Sequence, residues 1–334
     1  LKLTRFYAQA PVCSPTRASV VTGRHHDRTG IYTANHGHLR DGEFTLYEAL
    51  KTKGYTTGHF GKWHMGTLTT KIKDANRGGP GGAKEFSPPW HHEVDVTLAT
   101  ESKTPTFDAM WKPVGGSANE FTNASRLGWN VIPEDGEKEF YGTHYWTGQD
   151  TLFDPKSDEL LGDDSNLIMD HAMKFIDDSK EGPFLAIVWF HAPHLPVVAS
   201  AEDAASYDDG KNTAFQRNYN GCVTALDHAV GRLRAQLRDQ GVADNTVITF
   251  CSDNGPEGKD GAPGLQGDFR GRKRSLYEGG VRVPSLIEWP AKIAPGSVSK
   301  AATCTVDYFP TIMEIVGFEL PDDRPLDGLS LIHI

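Results

Sequence analysis

The chain has 334 residues, 38% of them hydrophobic and 23% charged, enough for one large α/β domain or two of ordinary size. Its formal charge of −10 argues against non-specific nucleic-acid binding, so any anion site must be locally cationic. No apolar run approaches the roughly 20 residues that a membrane helix needs.

The first element begins at Cys13-Ser14-Pro15-Thr16-Arg17 and continues Ala18-Ser19-Val20-Val21-Thr22-Gly23. Ser14 reads as an N-cap and Pro15 as the first helical position, where its missing N–H costs nothing. Free backbone N–H groups and the positive dipole end suit an oxyanion there and stabilise a thiolate at Cys13. Arg17 adds a fixed positive charge one turn along. The plainer reading is a buried structural cysteine beside a helix cap. His25, His26, His36 and His38 follow in a Gly/His-rich connection, but their spacing fits no zinc pattern, and a solvated loop is expected. Thr45 caps a helix over 45–50, Lys53-Gly54 closes it, and 55–60 is a short buried strand. Gly61-Lys62-Trp63-His64-Met65-Gly66 then stands at the carboxyl end of that strand, where open α/β sheets place ligands.

From about 67 to 161 the periodicity dissolves into Gly, Pro, Trp, His and Thr. A long irregular stretch inside a compact domain reads as a functional insertion bordering the site. Its aromatics Trp90, Trp111, Trp129, Tyr145 and Trp146 either stack on sugar rings or pack the insertion itself. Asn123-Ala124-Ser125 has the form of a glycosylation acceptor, a triplet common by chance.

Regular structure resumes at Asp163-Asp164 with an apolar helical stripe through Leu167, Ile168, Ala172, Phe175 and Ile176. Residues 183–190 form a continuous apolar run, as in a parallel strand buried on both faces. It delivers His191-Ala192-Pro193-His194-Leu195-Pro196. The longest helix spans 214–240, with Cys222 in its packing stripe. The strand 246–251 contains Cys251, read as a core thiol, and ends in Asp253-Asn254-Gly255, two hard oxygen ligands or simply a turn. A Gly-rich loop leads to Gly271-Arg272-Lys273 and on to Tyr277-Glu278-Gly279-Gly280-Val281-Arg282-Val283-Pro284. A strand over 283–289 and a helix over 306–316 complete the chain. With Cys304, the four cysteines are too few for a disulfide framework.

Taken together, these motifs resemble the sulfatase family of the alkaline-phosphatase-like superfamily. The run C-x-P-x-R-A-S-x-x-T-G matches its signature, and 54–66 matches G-Y-x-T-x-x-x-G-K-W-H-x-G. His194 falls in P-H-x-P, Asp253-Asn254 in the metal pair, and Lys273 in G-x-K-x-x-x-[YW]-E-G-G-x-R-V-P. The resemblance implies an α/β fold with a mostly parallel central sheet sandwiched by helices. It implies a hydrolase of sulfate monoesters, arylsulfatase-like, acting on sulfated small molecules or glycans. Cys13 would be oxidised to formylglycine by a formylglycine-generating enzyme that reads Pro15 and Arg17. As an aldehyde hydrate it would attack sulfur. Arg17, Lys62, His64, His194, Lys273 and a divalent metal, Ca²⁺ or Mg²⁺, would neutralise the sulfate. His64 would take a proton to expel sulfate, and His194 or Lys273 would protonate the departing alcohol. Asp253, Asn254 and modified Cys13 would ligate the metal, while Glu278 and Arg282 hold their loop and His191 serves a supporting role. A periplasmic, extracellular or lysosomal location goes with the family.

The resemblance also marks a departure. The family draws two metal-binding aspartates from a first strand upstream of the signature, and residues 1–12 contain no acidic residue. The chain opens without Met and stops shortly after Asp327-Gly328, so the expectation is one catalytic domain over 1–334, cut at both ends. It would lack its first strand and the carboxyl-terminal antiparallel subdomain, and would be metal-deficient. Two other readings fit part of the pattern: a phosphonate monoester or phosphodiester hydrolase of the same architecture, and a non-catalytic binder of sulfated glycans. A cysteine phosphatase is disfavoured, because its C-x5-R loop needs arginine at Ser19.

Overall fold

The computed structural model describes residues 1–115, 120–121, 126–258 and 261–334; the Asn123 triplet lies outside them. The strands are β1 (Lys2–Tyr7), β2 (Thr56–Lys62), β3 (Val96–Thr100), β4 (Trp111–Pro113), β5 (Lys138–Phe140), β6 (Trp146–Gly148), β7 (Thr151–Leu152), β8 (Phe184–Trp189), β9 (Ile248–Cys251), β10 (Ser285–Glu288) and β11 (Val298–Cys304). The helices are α1 (Cys13–Thr22), α2 (His26–Thr29), α3 (Leu46–Thr52), α4 (Asp164–Ser179), α5 (Ala201–Ala205), α6 (Ala214–Asp239), α7 (Glu278–Val281) and α8 (Tyr308–Val316).

One sheet runs β7-β6-β3-β2-β8, with β2 parallel to both β3 and β8 and the β6–β7 edge antiparallel. A second runs β11-β1-β10-β9, in which β1 is parallel to β11 and antiparallel to β10. Alternation along β8 sorts its side chains between two layers. Leu185, Ile187 and Trp189 pack with α1, α3 and α8, around Val21, Tyr47, Trp63 and Phe309. Ala186 and Val188 pack with Phe60, Leu98, Ile168 and Phe175 beneath α4 and α6. Each such large side chain contributes about 1.5–3 kcal/mol by leaving water. The result is the layered α/β sandwich expected. The stretch 67–161 supplies the short strands β3, β6 and β7 to this sheet. Trp129, Tyr145 and Trp146 are accordingly buried core, at 2%, 0% and 2% exposure, and are not available for sugar stacking.

Helix starts follow local chemistry. Thr45 and Glu48 form a reciprocal capping box at α3, and the Asp163 carboxylate accepts the Asn166 N–H at α4. At α1 the helix begins two residues earlier than the sequence suggests. Cys13 is its first residue, Val12 flanks it, and Ser14 makes no cap bond. Thr16 Oγ1 instead binds back to the Ala10 carbonyl at 2.9 Å, and Pro15 is tolerated inside the first turn because no intrahelical N–H is required there.

β8 and β9 are the facing edges of the two sheets, and between them lies a cavity of about 1780 Å³. Apolar side chains of α6 (Val223, Leu226, Val230) and α8 (Ile312, Ile315) line it, and at one end it reaches Arg17, Lys62 and Asp253. No helix among the described residues is long and apolar enough to cross a membrane.

Candidate active site

The register pairs Lys62 with Thr100 and Gly61 with Trp189, so β2, β3 and β8 present their carboxyl ends side by side. Gly61 permits this closeness: its φ is +98°, and a Cβ there would meet the Trp189 carbonyl oxygen at 2.1 Å. Arg17 draws the remaining elements together. Its Nη1 donates to the Lys62 carbonyl at 2.9 Å, and its Nη2 donates to Asp253 Oδ2 at 2.9 Å. Its guanidinium lies over the Trp189 ring at 4.8 Å. One side chain of α1 thus ties the ends of β2, β8 and β9 to the helix mouth that carries Cys13.

Cys13 is 3% exposed and Lys62 is 2% exposed. Burial lowers the Lys62 ammonium pKa, and Arg17 and Lys273 add to that, while Cys13 and Asp253 oppose it. Burial works to raise the Asp253 carboxyl, but Arg17, Lys62 and Lys273 outweigh it and hold it below the usual carboxylate range. Burial pushes His64 well below the ordinary imidazole range, reinforced by Lys62, Arg77, Arg17 and His194. It does the same to His194, with Lys273, Lys62 and Lys103 adding to the effect. Both imidazoles are therefore neutral near pH 7. His194 Nδ1 donates to the Leu195 carbonyl at 2.7 Å, which leaves Nε2 as its acceptor nitrogen. Lys273 is 9% exposed, its Nζ 4.0 Å from Glu257. Its loop is pinned where Lys273 N donates to Pro256 O and Arg274 N to Pro11 O, each at 2.9 Å. Glu278 accepts from Tyr7 Oη at 2.8 Å and from Arg282 at 2.9 Å, and Arg282 also donates to the Thr4 carbonyl at 2.7 Å. That pair braces the loop against β1.

The other cysteines are free thiols. Burial raises Cys222 far above the thiol range and pushes Cys251 up to about 12, which suits core packing and no nucleophilic use. His191 is buried between Asp164 and Thr100. His25, His26 and Asp27 gather on the short surface helix α2, with potential ligand atoms within 4.8 Å of one another.

Sequence reasoning missed Lys103. It follows β3 by three residues, and its electrostatic neighbours are Lys62, Arg126, Lys273 and Glu257, so it belongs to the same cationic cluster. Burial and the three cations bring its ammonium down to about 8. The missed signal was β3 itself, a Val-Thr-Leu-Ala-Thr strand inside the irregular stretch.

For a divalent metal, Asn254 Oδ1 is buried without a partner and Asp253 is ionised, but Arg17 already occupies Asp253 Oδ2. Two side-chain oxygens and Cys13 fall short of the roughly six to eight oxygens of a calcium site, and the surrounding charge is cationic. The residues present do not by themselves fit the ion.

A cationic recess at the carboxyl ends of parallel strands, in a chain of net charge −10, defines an α/β protein of the anion-binding kind. The family model described as Sulfatase matches residues 1–318, and the chain belongs to the sulfatase family. The steryl-sulfatase of Mus musculus is 30% identical over 378 residues, covering 100% of this chain and 59% of its own length. The N-acetylgalactosamine-6-sulfatase of Sus scrofa is 31% identical over 348 residues, covering 98% and 57%. Among solved structures, Ps i-CgsB in complex with a neocarrahexaose superposes with a TM-score of 0.70 at 24% identity, covering 99% of this chain and 67% of that one. The chain therefore spans less than two thirds of the length of the curated relatives named here.

Proposed function

We propose that the chain is the catalytic core of a sulfuric ester hydrolase that cleaves sulfate monoesters on carbohydrates, with Cys13 matured to formylglycine. The observation that carries this is the convergence of Arg17, Lys62 and Asp253 on the helix mouth that bears Cys13. Formylglycine, as its hydrate, supplies an oxygen nucleophile that a thiol cannot. Arg17, Lys62 and Lys273 balance the charge of a sulfate group and of the oxygens that gain charge as its ester bond breaks. His64, neutral and with Nδ1 unpartnered, is the proton acceptor. Of the two candidate donors to the leaving alcohol, Lys273 is favoured, because a neutral His194 has no proton at Nε2 to give. The sugar-sulfatase name of the porcine relative and the oligosaccharide in the Ps i-CgsB complex support a glycan substrate. Pro15 and Arg17 mark Cys13 for the formylglycine-generating enzyme, and a periplasmic, extracellular or lysosomal setting accords with that maturation.

The test is sulfate release from a panel of sulfated sugars by the full-length protein, with the mass of the Cys13 peptide measured in parallel. Maturation lowers that mass by about 18 Da. Phosphodiester turnover without sulfate release would turn the assignment to the phosphonate-type hydrolases, and an unmodified, inert Cys13 would turn it to a glycan binder.

Ca²⁺ or Mg²⁺ is the proposed ion of the whole protein, with Asp253, Asn254 and the modified Cys13 as part of its ligand set. The cavity between β8 and β9 reaches Asp253 at one end, so further carboxylates brought there would complete the ligand set. Calorimetric titration of residues 1–334 with CaCl2 is expected to show no site tighter than about 1 mM. A micromolar site would show that the donors present suffice.

Lys103 gives the recess a pH dependence. Its ammonium is intact below about 8 and neutral above it, so the anion affinity it provides is present at pH 7 and lost as pH rises through 8. Inorganic sulfate is expected to bind roughly 5- to 10-fold more weakly at pH 9 than at pH 7. Lys103→Met should flatten that step.

A further inference from the structure

Besides the charged groups, the site contains a chain of amides that no catalytic role has absorbed. His64 Nε2 lies 2.7 Å from Asn35 Oδ1. The same oxygen accepts from Asn76 Nδ2 at 2.9 Å, and Asn76 Nδ2 also donates to Ser102 Oγ at 2.8 Å. In this orientation of the two amides Asn76 spends its hydrogens on Asn35 Oδ1 and Ser102 Oγ, and Asn35 turns its oxygen to the ring. An amide oxygen only accepts, so His64 must carry its hydrogen on Nε2. A neutral imidazole has one such hydrogen. Nδ1 is then a bare lone pair, and it is buried with no partner.

The frame behind the amides is rigid. Asn76 N donates to Glu101 Oε2 at 3.1 Å, and Arg77 Nε donates to Glu101 Oε1 at 2.8 Å. Arg77 Nη1 reaches the Gly37 carbonyl at 2.7 Å, two residues from Asn35. Asn35 and His64 both hold left-handed backbone, at φ 67° and 59°, a conformation that non-glycine residues keep only where their surroundings over-determine it. The strongest charged influences on His64 are Lys62, Arg77, Arg17 and His194, and each disfavours a second proton on the ring.

We propose that Asn35 is a positioning residue: it fixes the tautomer of His64, holding hydrogen on Nε2 and reserving Nδ1 as the proton acceptor. The inference rests on His64 being the base of the proposed reaction, but its test does not need turnover. Long-range ¹H–¹⁵N correlation spectra of histidine-labelled protein at pH 7, with His64 assigned by His64→Gln, should show a protonated Nε2 and an unprotonated Nδ1. Asn35→Leu should move His64 to averaged or Nδ1–H signals while the other histidine signals stay in place. Asn35→Asp, which keeps an acceptor oxygen, should retain the Nε2–H pattern and stands as the control should Asn35→Leu not fold. In the full-length enzyme Asn35→Leu should lower kcat on the order of 10²-fold with KM within about twofold. An Nδ1–H tautomer in the parent protein, an unchanged tautomer in Asn35→Leu, or loss of the Nε2–H pattern in Asn35→Asp would each overturn the proposal. Absence of sulfate release with the expected spectra would sink the hydrolase assignment and leave the tautomer lock standing.

Discussion

Replacing Cys13 by alanine in the full-length, matured protein is expected to cut sulfate release by about 10⁴-fold or more, the scale on which removal of a nucleophile acts. The fold should survive. Cys13 is buried at the first turn of α1, so trimming its sulfur costs a small cavity, on the order of 1 kcal/mol. The scaffold of the site does not pass through it, because Arg17 reaches Lys62 O and Asp253 from a different turn of the helix. Cys13→Ala should therefore still bind inorganic sulfate, and its melting temperature should stay within a few degrees of the parent. Arg17→Ala is the contrasting variant. It strands the half-buried Asp253 carboxylate without its guanidinium partner and should lose both sulfate binding and stability. Turnover by Cys13→Ala near the parental rate would remove the nucleophile assignment, whatever the state of the other residues.

How much of this was legible in the sequence follows from where each residue sits. Lys62 closes β2, His64 stands two residues beyond it, His194 follows β8, and Asp253 and Asn254 follow β9; β8 and β9 show in sequence as short apolar runs and β2 through its Gly-Lys-Trp-His-x-Gly end. The thin elements did not show. β11 reads Val-Ser-Lys-Ala-Ala-Thr-Cys and is largely exposed, an edge strand with no apolar alternation to betray it. β1 and β3 are short and rich in polar residues, and β3 is flanked by Gly, Pro and Trp that read as loop. Lys103 was lost with β3. Asn35 was invisible for a different reason: its role depends on which atom faces a histidine 29 residues away, and spacing carries no record of that. The Ser14 cap was misplaced because the helix starts at Cys13 with Val12 flanking it, which puts Ser14 inside the first turn, its hydroxyl buried without a partner.

The largest structural effect is expected at His191, which lies in the site's sequence motif but outside its chemistry. His191 Nδ1 donates to Asp164 Oδ2 at 2.6 Å, and both side chains are fully buried. Its Nε2 is 2.7 Å from Thr100 Oγ1, and that hydroxyl donates onward to the Ser102 carbonyl at 2.7 Å. Asp164 also accepts from Tyr145 Oη at 2.5 Å, so His191 and Asp164 form the centre of a fully buried polar network. Removing one partner leaves buried hydrogen-bonding groups unsatisfied, a loss of about 3–5 kcal/mol. His191→Phe and Asp164→Leu should each lower the melting temperature by roughly 6–10 °C, at about 2 °C per kcal/mol for a chain of this size. The double variant should be less destabilised than the sum of the singles, by about 2 kcal/mol or more, because it leaves neither group without its partner. Differential scanning calorimetry of the four proteins gives the coupling directly, and additive singles would mean that the two side chains do not support each other. The same contacts explain why a packing residue sits in a catalytic motif. His191 O accepts the His194 N–H at 2.7 Å, and Thr100 anchors the carbonyl of Ser102 immediately before Lys103. The buried His191–Asp164 pair thus fixes two turns of the recess from behind, and its loss should loosen His194 and Lys103 together.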